Sequence, residues 1–247
     1  MRGELLLRAV LAQTRAELLL TMRRGESVLV TLVVPALLLL FFGLVGMLPV
    51  AAERPVDVLL PGLLALAVIS TSMVSLGIAT AFERHYGVLK RLGSTPLPRA
   101  GLLAAKMLSV LVLEAVQAVL LVAIAALAFG WAPAGRADLA LLALLLGTAT
   151  FAGLGLLMAG SLRAEATLAV ANGLYLAFLL LGGIMLPVDR LPGGLAELAR
   201  LLPAAALSQA LRATLAPGTG SAGSSLALLA GWAVLTTLAA VRTFRWE

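Results

Sequence analysis

The chain has 247 residues, of which 62% are hydrophobic and 12% are charged, and its mean hydropathy is +1.08. Soluble domains are about 45–50% apolar and about 25% charged, so a soluble globular fold is excluded. The formal net charge is +6, but the basic residues lie at the ends of apolar segments, which argues against a nucleic-acid-binding protein. Cysteine is absent, so disulfides and thiolate metal sites are excluded.

Six apolar segments are long enough to cross a membrane, because about 20 helical residues span a hydrocarbon core of roughly 30 Å. The sequence therefore predicts an all-α polytopic membrane protein that forms a single domain over residues 1–247. In the fourth segment, Gly153 and Gly155 belong to small-residue pairs that permit close helix packing. The predicted spans are residues 28–47, 59–81, 107–129, 139–162, 166–186 and 224–241.

The basic residues also predict the orientation of the spans, because lysine and arginine favour cytoplasmic flanks. With the N-terminus inside, 13 of the 18 basic residues lie in inner segments and 5 lie in outer segments. Both termini are therefore predicted to be cytoplasmic. Arginine greatly outnumbers lysine in a chain rich in alanine, leucine and glycine, which favours a bacterial origin and hence the bacterial cytoplasmic membrane.

Residues 1–24 are predicted to form a helix that lies along the membrane surface instead of crossing it. Glu4, Arg8 and Arg15 share one helical stripe, at spacings of four and seven residues. The alternative is a simple topology anchor that keeps positive charge inside.

The segment 187–216 is too polar, and too often interrupted by proline, to cross the bilayer. Two short helices fit within 193–215, over 193–202 and 204–215, and apolar helices of that length are re-entrant or interfacial. They are predicted at the outer face between the fifth and sixth spans. Pro192, Pro203 and Arg212 are candidates for an outer gate, and packing beneath a loop is the alternative.

Motifs for catalysis are absent from the sequence. There is no GxxxxGK[ST] phosphate-binding loop, and one histidine cannot form a histidine–carboxylate metal cluster. That histidine, His85, lies in a charged segment, which disfavours a histidine-activated serine inside the membrane. The chain is not predicted to be an enzyme by itself, to contain catalytic residues, or to bind a metal or cofactor of its own.

A few polar residues lie inside the predicted spans. Glu114 is the only acidic one, and a buried carboxylate must face protein or water because exposure to lipid is costly. Gln117 lies on the same helical face, Thr71 and Ser75 form an i,i+4 pair, and Asn172 lies in the fifth span. These residues are candidates for a substrate path. The alternative is that their hydrogen bonds hold helices together.

The stretch 82–99 is compact and charged, and lies between two apolar segments. It predicts one short helix over 82–92, ended by Gly93, and a Ser94-Thr95-Pro96 start to the next helix. The cytoplasmic preference of basic residues explains the charge of this segment. It does not explain a defined helix followed by proline.

These residues carry a resemblance to the membrane subunits of type-2 ABC exporters, which include daunorubicin-resistance-type and polysaccharide-exporter permeases. A second similar pattern, LPGGLAELARLLPAAALSQALR, covers residues 191–212. With the six spans, the N-terminal helix and the inside termini, the resemblance extends over nearly the whole chain. The pattern that follows the second span in that family is represented here by Glu83-Arg84-His85-Tyr86-Gly87-Val88-Leu89-Lys90-Arg91-Leu92-Gly93-Ser94-Thr95-Pro96.

The resemblance implies that this segment is a coupling helix seated in a groove of a separate ATP-binding subunit. ATP and Mg²⁺ would then bind to that partner, and two permeases, identical or sister subunits, would flank the substrate path. The residues that the resemblance assigns to ATPase coupling are Glu83, Arg84, Gly87, Leu89, Lys90, Arg91, Leu92, Thr95 and Pro96.

The function predicted from these features is ATP-driven export of a hydrophobic or amphipathic drug-like molecule or a lipid. The apolar spans, which contain no charged group besides Glu114, favour such a cargo. A polysaccharide or glycolipid exporter is an alternative, although only 5% of the residues are aromatic. A non-transporting membrane sensor or anchor for an ATPase and an ion-coupled carrier that uses Glu114 are further hypotheses.

Overall fold

The computed structural model describes residues 2–23, 25–45, 54–93, 98–133, 135–184, 188, 191–216 and 221–243. Helices dominate this part of the chain and no strand occurs in it, which confirms the predicted all-α fold. In chain order the helices are α1 (Arg2–Arg23), α2 (Gly25–Val45), α3 (Pro55–Val68), a π-helical segment (Ile69–Ser75), α4 (Leu76–His85), α5 (Val88–Gly93), α6 (Arg99–Phe129), α7 (Ala137–Ser161), α8 (Ala164–Leu181), α9 (Gly193–Leu201), α10 (Pro203–Leu215) and α11 (Gly223–Thr243).

Within the described residues, five helices are long and apolar enough to cross a membrane, and they coincide with the second to sixth predicted spans. The predicted first span lies in α2, where the apolar helix that can be assessed, Thr31–Val45, is shorter than the other five. A sixth span therefore stays a prediction. The five helices are Pro55–His85, which joins α3, the π-helical segment and α4, then Ala100–Phe129, Ala137–Ser161, Ala164–Leu181 and Gly223–Thr243.

The boundaries of three predicted spans need correction. The second span begins at Pro55, because proline is favoured in the first helical turn, and it continues to His85. The helix of the third span begins at Arg99, well before the predicted residue 107. The fifth ends at Leu181 instead of 186, because Gly182 and Gly183 follow, and Gly183 adopts a left-handed φ of +65°.

Helix α7 lies at the centre of the bundle, in contact with α4, α10, α11 and the π-helical segment. Two glycines allow its neighbours to come close. A Cβ added at Gly155 would lie 2.7 Å from the carbonyl oxygen of Met73, and one added at Gly153 would lie 2.6 Å from Thr236 Oγ1. The structure thus uses the small residues of the fourth span for close helix packing, as the sequence predicts.

The two short helices before α11 differ in burial. Helix α10 packs against α3, α7 and α11, and Ala204, Leu207 and Leu211 are fully buried. Helix α9 buries small residues and exposes Leu198 and Leu201. These helices occupy the residues predicted for a re-entrant pair, with α10 as a core element, and their depth in a membrane stays a prediction.

Candidate functional site

The structure corrects the predicted helix over 82–92. Helix α4 ends at His85, and a turn at Tyr86 and Gly87 separates it from α5. Gly87 has a φ of +71°, a left-handed conformation that glycine adopts without the strain imposed by a Cβ. Residues 82–85 therefore belong to the end of the membrane-spanning helix, and only 88–93 form a separate short helix, α5.

Arg84 connects α4 to the end of α7. Its Nη1 donates a hydrogen bond to the carbonyl oxygen of Gly160 at 2.7 Å, and its Nη2 donates to the carbonyl oxygen of Leu162. The last carbonyls of a helix have no intrahelical partner, so a guanidinium group at this position satisfies them. Arg84 is thus engaged within the chain.

Glu83 takes part in a buried ionic junction, which we define as Glu17, Glu83 and Lys106. Lys106 Nζ lies 2.6 Å from Glu83 Oε2 and 3.0 Å from Glu17 Oε1, and the lysine side chain is only 1% exposed. The junction joins α1, α4 and α6. Thr14 adds a hydrogen bond of 3.4 Å from its hydroxyl to the carbonyl oxygen of Ala105.

The sequence analysis missed Lys106, which it counted only as a positive charge in an inner loop. A signal was present in the spacing: Lys106, Val110, Glu114 and Gln117 follow one helical face. If the helix of the third span is predicted to begin before residue 106, this lysine falls on the same buried face as Glu114 and Gln117.

Helix α5 presents one apolar and one basic side. Leu89 is fully buried in an apolar cluster that also contains Leu76 of α4 and Leu102 of α6, and α5 packs against α4. Leu92 is partly buried against the same cluster. Lys90 and Arg91 are exposed. The remaining predicted coupling residues, Thr95 and Pro96, lie outside the described residues.

Gln117 connects three helical elements. Its Nε2 donates a hydrogen bond to the carbonyl oxygen of Thr31 at 2.7 Å, and the Thr71 hydroxyl donates to its Oε1 at 3.4 Å. These bonds join α2, the π-helical segment and α6. Two of the predicted path residues, Thr71 and Gln117, are therefore in contact.

Glu114 lies one helical turn before Gln117, and both residues line a cleft in the helical bundle. Its Oε2 accepts a hydrogen bond from the Thr148 hydroxyl of α7. The cleft has a volume of about 330 Å³ and lies between α3, α6 and α7. Its lining residues are Leu64, Ala67, Val68, Leu111, Glu114, Ala115, Gln117, Ala118, Val119, Leu141, Leu144, Leu145 and Thr148.

The other two predicted path residues lie elsewhere. Ser75 is exposed and, together with Thr71, lines a separate pocket of about 50 Å³ beside Lys106. Asn172 is on an exposed face of α8, where its Nδ2 donates to the carbonyl oxygen of Leu168 at 2.8 Å. The structure thus brings Thr71, Gln117 and Glu114 together and does not bring Asn172 to them.

Of the three candidates for an outer gate, Arg212 connects α10 to the residues that follow α8. Arg212 Nη2 donates to the carbonyl oxygens of Gly183 and Ile184, the second at 3.0 Å. Burial lowers the pKa of the Arg212 guanidinium from its ordinary value. Pro203 starts α10 and is buried, whereas Pro192 is exposed before α9.

The described part of the chain contains no group of three or more histidine, aspartate or glutamate side chains that could hold a metal ion. The buried acidic groups and Lys106 are instead distributed between the ionic junction and the cleft.

A family model for ABC-2 type transporters matches residues 8–216, and no curated protein matches the chain. The matched region contains the coupling segment, the ionic junction and the cleft. Membrane domains of this family lack an ATPase site and work with an ATP-binding partner subunit. The chain therefore belongs to the ABC-2 type transporter family and is a multi-pass transmembrane permease subunit of an ABC transporter.

Proposed function

We propose that this permease exports a hydrophobic or amphipathic drug-like molecule or a lipid, in the manner of daunorubicin-resistance-type exporters. A separate subunit would bind ATP and Mg²⁺ and supply the energy. The aliphatic lining of the cleft supports this cargo class over a polysaccharide, because none of its lining residues is aromatic.

The proposed topology has six spans in the bacterial cytoplasmic membrane, with both termini in the cytoplasm. Helix α2 is the first span: its 21 residues rise about 32 Å, which matches a hydrocarbon core of roughly 30 Å. Helix α1 then lies at the cytoplasmic surface, and α9 and α10 lie at the outer face. Two permeases, identical or sister subunits, enclose the substrate path.

The observation that carries the proposed function is the placement of α5. This helix follows α4 and precedes α6, and its Leu89 is buried in an apolar cluster that includes residues of both helices. Lys90 and Arg91 lie on its exposed side. A partner that pushes on the basic side would therefore act on a cluster that α4 and α6 share. This geometry suits the transfer of an ATP-driven movement into the membrane.

A charge-reversal experiment tests this assignment. The variant carries Lys90→Glu and Arg91→Glu, and Arg84 is left unchanged because its guanidinium holds the end of α7. We expect the folded permease to lose most of its co-purification with the ATP-binding subunit and its ATP-dependent transport, because two attractive contacts become repulsive.

The matched control carries Arg8→Glu and Arg15→Glu, which change the charge equally on the exposed face of α1. It is expected to retain the ATP-binding subunit. Full co-purification and full transport by the α5 variant would overturn the coupling assignment.

The same reconstituted complex separates the alternative functions. Cargo-stimulated ATP hydrolysis with vectorial movement of the cargo supports an exporter. Hydrolysis that no cargo stimulates, without flux, favours a sensor or anchor. Transport that continues without nucleotide favours an ion-coupled carrier.

A further inference from the structure

We infer that the cleft between α3, α6 and α7 binds a lipophilic amine, with the ammonium group of the ligand paired to Glu114. The role of this amine as transported cargo rests on the proposed function. The binding site itself is argued from the lining, the hydrogen bonds and the charges of the cleft.

The shape and lining of the cleft suit the apolar body of such a ligand. Its volume of about 330 Å³ is at the small end of ligand pockets, which are roughly 300–1,000 Å³. Ten of its thirteen lining residues are aliphatic, and the other three are Glu114, Gln117 and Thr148. Ligand sites typically combine apolar walls with a few polar groups that fix orientation.

The carboxylate of Glu114 is only partly satisfied by the described part of the protein, where the Thr148 hydroxyl donates to Oε2 and no group donates to Oε1. Its side chain is 8% exposed, and its Oε1 atom is buried with no hydrogen-bond partner there. Ser72 is nearby, but its hydroxyl proton is donated to the carbonyl oxygen of Val68 at 2.5 Å. The Thr148 hydroxyl on Oε2 also lies 2.9 Å from the carbonyl oxygen of Leu144, so its single proton serves two acceptors.

The cleft also lacks a positive charge. None of its lining residues is basic. Lys106 lies eight residues before Glu114 on the same helix, about 12 Å along the axis, and is already engaged by two carboxylates. A buried carboxylate is stabilised by a cation that also donates hydrogen bonds. An ammonium group supplies both, with three donors and one positive charge.

The mouth of the cleft opens on the side of the helical bundle. Val119, Leu141 and Leu145 line the cleft and remain 69%, 58% and 44% exposed. These residues lie within membrane-spanning helices, so an apolar molecule that has partitioned into the bilayer reaches the cleft laterally. Entry from the membrane suits an amine with an apolar body better than a fully water-soluble cation.

A binding measurement with matched probes tests the inference. The complete permease in lipid nanodiscs, without nucleotide, is titrated with radiolabelled 4-phenylbutylamine and with the neutral analogue 4-phenylbutanol. We expect the amine to bind at least about tenfold more tightly, because hydrogen bonds to charged groups exceed neutral ones in strength. Glu114→Gln should remove this preference, since the amide keeps the shape and loses the charge.

Two control variants, Glu165→Gln and Ala126→Leu, and one cleft-filling variant, Ala115→Leu, accompany the measurement. Glu165→Gln removes a carboxylate from the exposed first turn of α8 and should leave the amine preference intact. Ala115→Leu fills the cleft without changing Glu114 and should weaken both probes, whereas Ala126→Leu on an exposed position of the same helix should weaken neither. Equal binding of the two probes to the original permease, or an unchanged preference in Glu114→Gln, would overturn the inference.

A single cysteine locates the probe, because the chain has none of its own. In Leu145→Cys, at the mouth of the cleft, the amine should slow labelling by a membrane-permeant thiol reagent and the alcohol should not. Ready disulfide formation between two Leu145→Cys chains, without protection by the amine, would assign the cleft to an interface with a second copy and overturn the inference.

This test is independent of the proposed function. Amine binding without cargo-stimulated hydrolysis or flux would preserve the site and remove the exporter role. Flux of another cargo, together with no amine preference, would preserve the exporter and remove the site.

Discussion

Lys106 and Glu114 lie eight residues apart on one face of α6, and both are buried in the helical bundle. They differ in their surroundings. Lys106 has two carboxylates within 3.0 Å, from helices α1 and α4. Glu114 has a threonine hydroxyl on one oxygen and no hydrogen-bond partner for the other among the described residues.

The difference separates two uses of buried charge on one helix. The ionic junction is complete within the chain and fixes α1 and α4 to α6, beside the coupling segment. Among the described residues the carboxylate in the cleft is incompletely satisfied, as expected for a group that a ligand completes. Burial alone does not distinguish these uses, whereas the supply of counter-charge does.

The largest expected effect comes from breaking the complete junction. Lys106→Met keeps the volume of the side chain but leaves the carboxylates of Glu17 and Glu83 without their shared ammonium. We expect a loss of about 3–5 kcal/mol of stability, because removing one partner of a buried pair leaves an uncompensated charge. The measurement is the melting temperature of the purified permease in detergent.

An exposed basic residue of α1 provides the control. Arg15→Met removes an exposed positive charge from the same helix as Glu17 and should change the melting temperature little. Adding Glu17→Gln and Glu83→Gln to Lys106→Met should recover most of the stability. If the triple variant melts as low as the single one, uncompensated charge is not the cause of the loss.

An intermediate effect is expected at Gln117, whose neutral side chain connects α6 to α2 and to the π-helical segment. Gln117→Leu removes the hydrogen bonds to Thr31 and Thr71, at a cost of about 1–2 kcal/mol. The melting temperature should therefore fall less than in Lys106→Met. If the melting temperature fell as far as in Lys106→Met, the hydrogen bonds of Gln117 would contribute as much to the packing of α6 as the ionic junction does.

The smallest effect on stability is expected at Glu114. Glu114→Gln retains an acceptor for the Thr148 hydroxyl and breaks no ion pair, so stability should change by less than about 1 kcal/mol. The melting temperature without ligand is the measurement. A destabilisation comparable to that of Lys106→Met would mean that Glu114 is a structural group, which was the alternative left open by the sequence.

Hydropathy was sufficient to locate the five long membrane helices, because a helix that crosses the hydrocarbon core of a bilayer needs an apolar segment of about 20 residues. It was not sufficient for their ends. The helix of the third span extends back to Arg99, directly after Pro98, and thereby includes Lys106. The charge of this lysine is matched by two carboxylates that are distant in sequence, so its hydropathy alone gives no sign that it is buried. The coupling segment is divided at Gly87, where the left-handed turn overrides a helical pattern.

The sequence predicted most of the residues of the candidate site, but not which of them lie close together. Glu114, Gln117 and Thr71 were identified because polar side chains are costly in a membrane, and the structure brings them together. Asn172 met the same criterion and lies apart on α8. Thr148 was missed, since a single threonine in an apolar span is commonly satisfied by its own helix.

The sequence by itself determined that this chain is an all-α membrane protein of several spans and that a charged segment follows the second span. These properties depend on local composition and on helix length. Only the tertiary structure decided which charges are matched. Glu17, Glu83 and Lys106 converge from three separate helices, whereas Glu114 faces an aliphatic cleft, because helix packing sets the partners of each buried group.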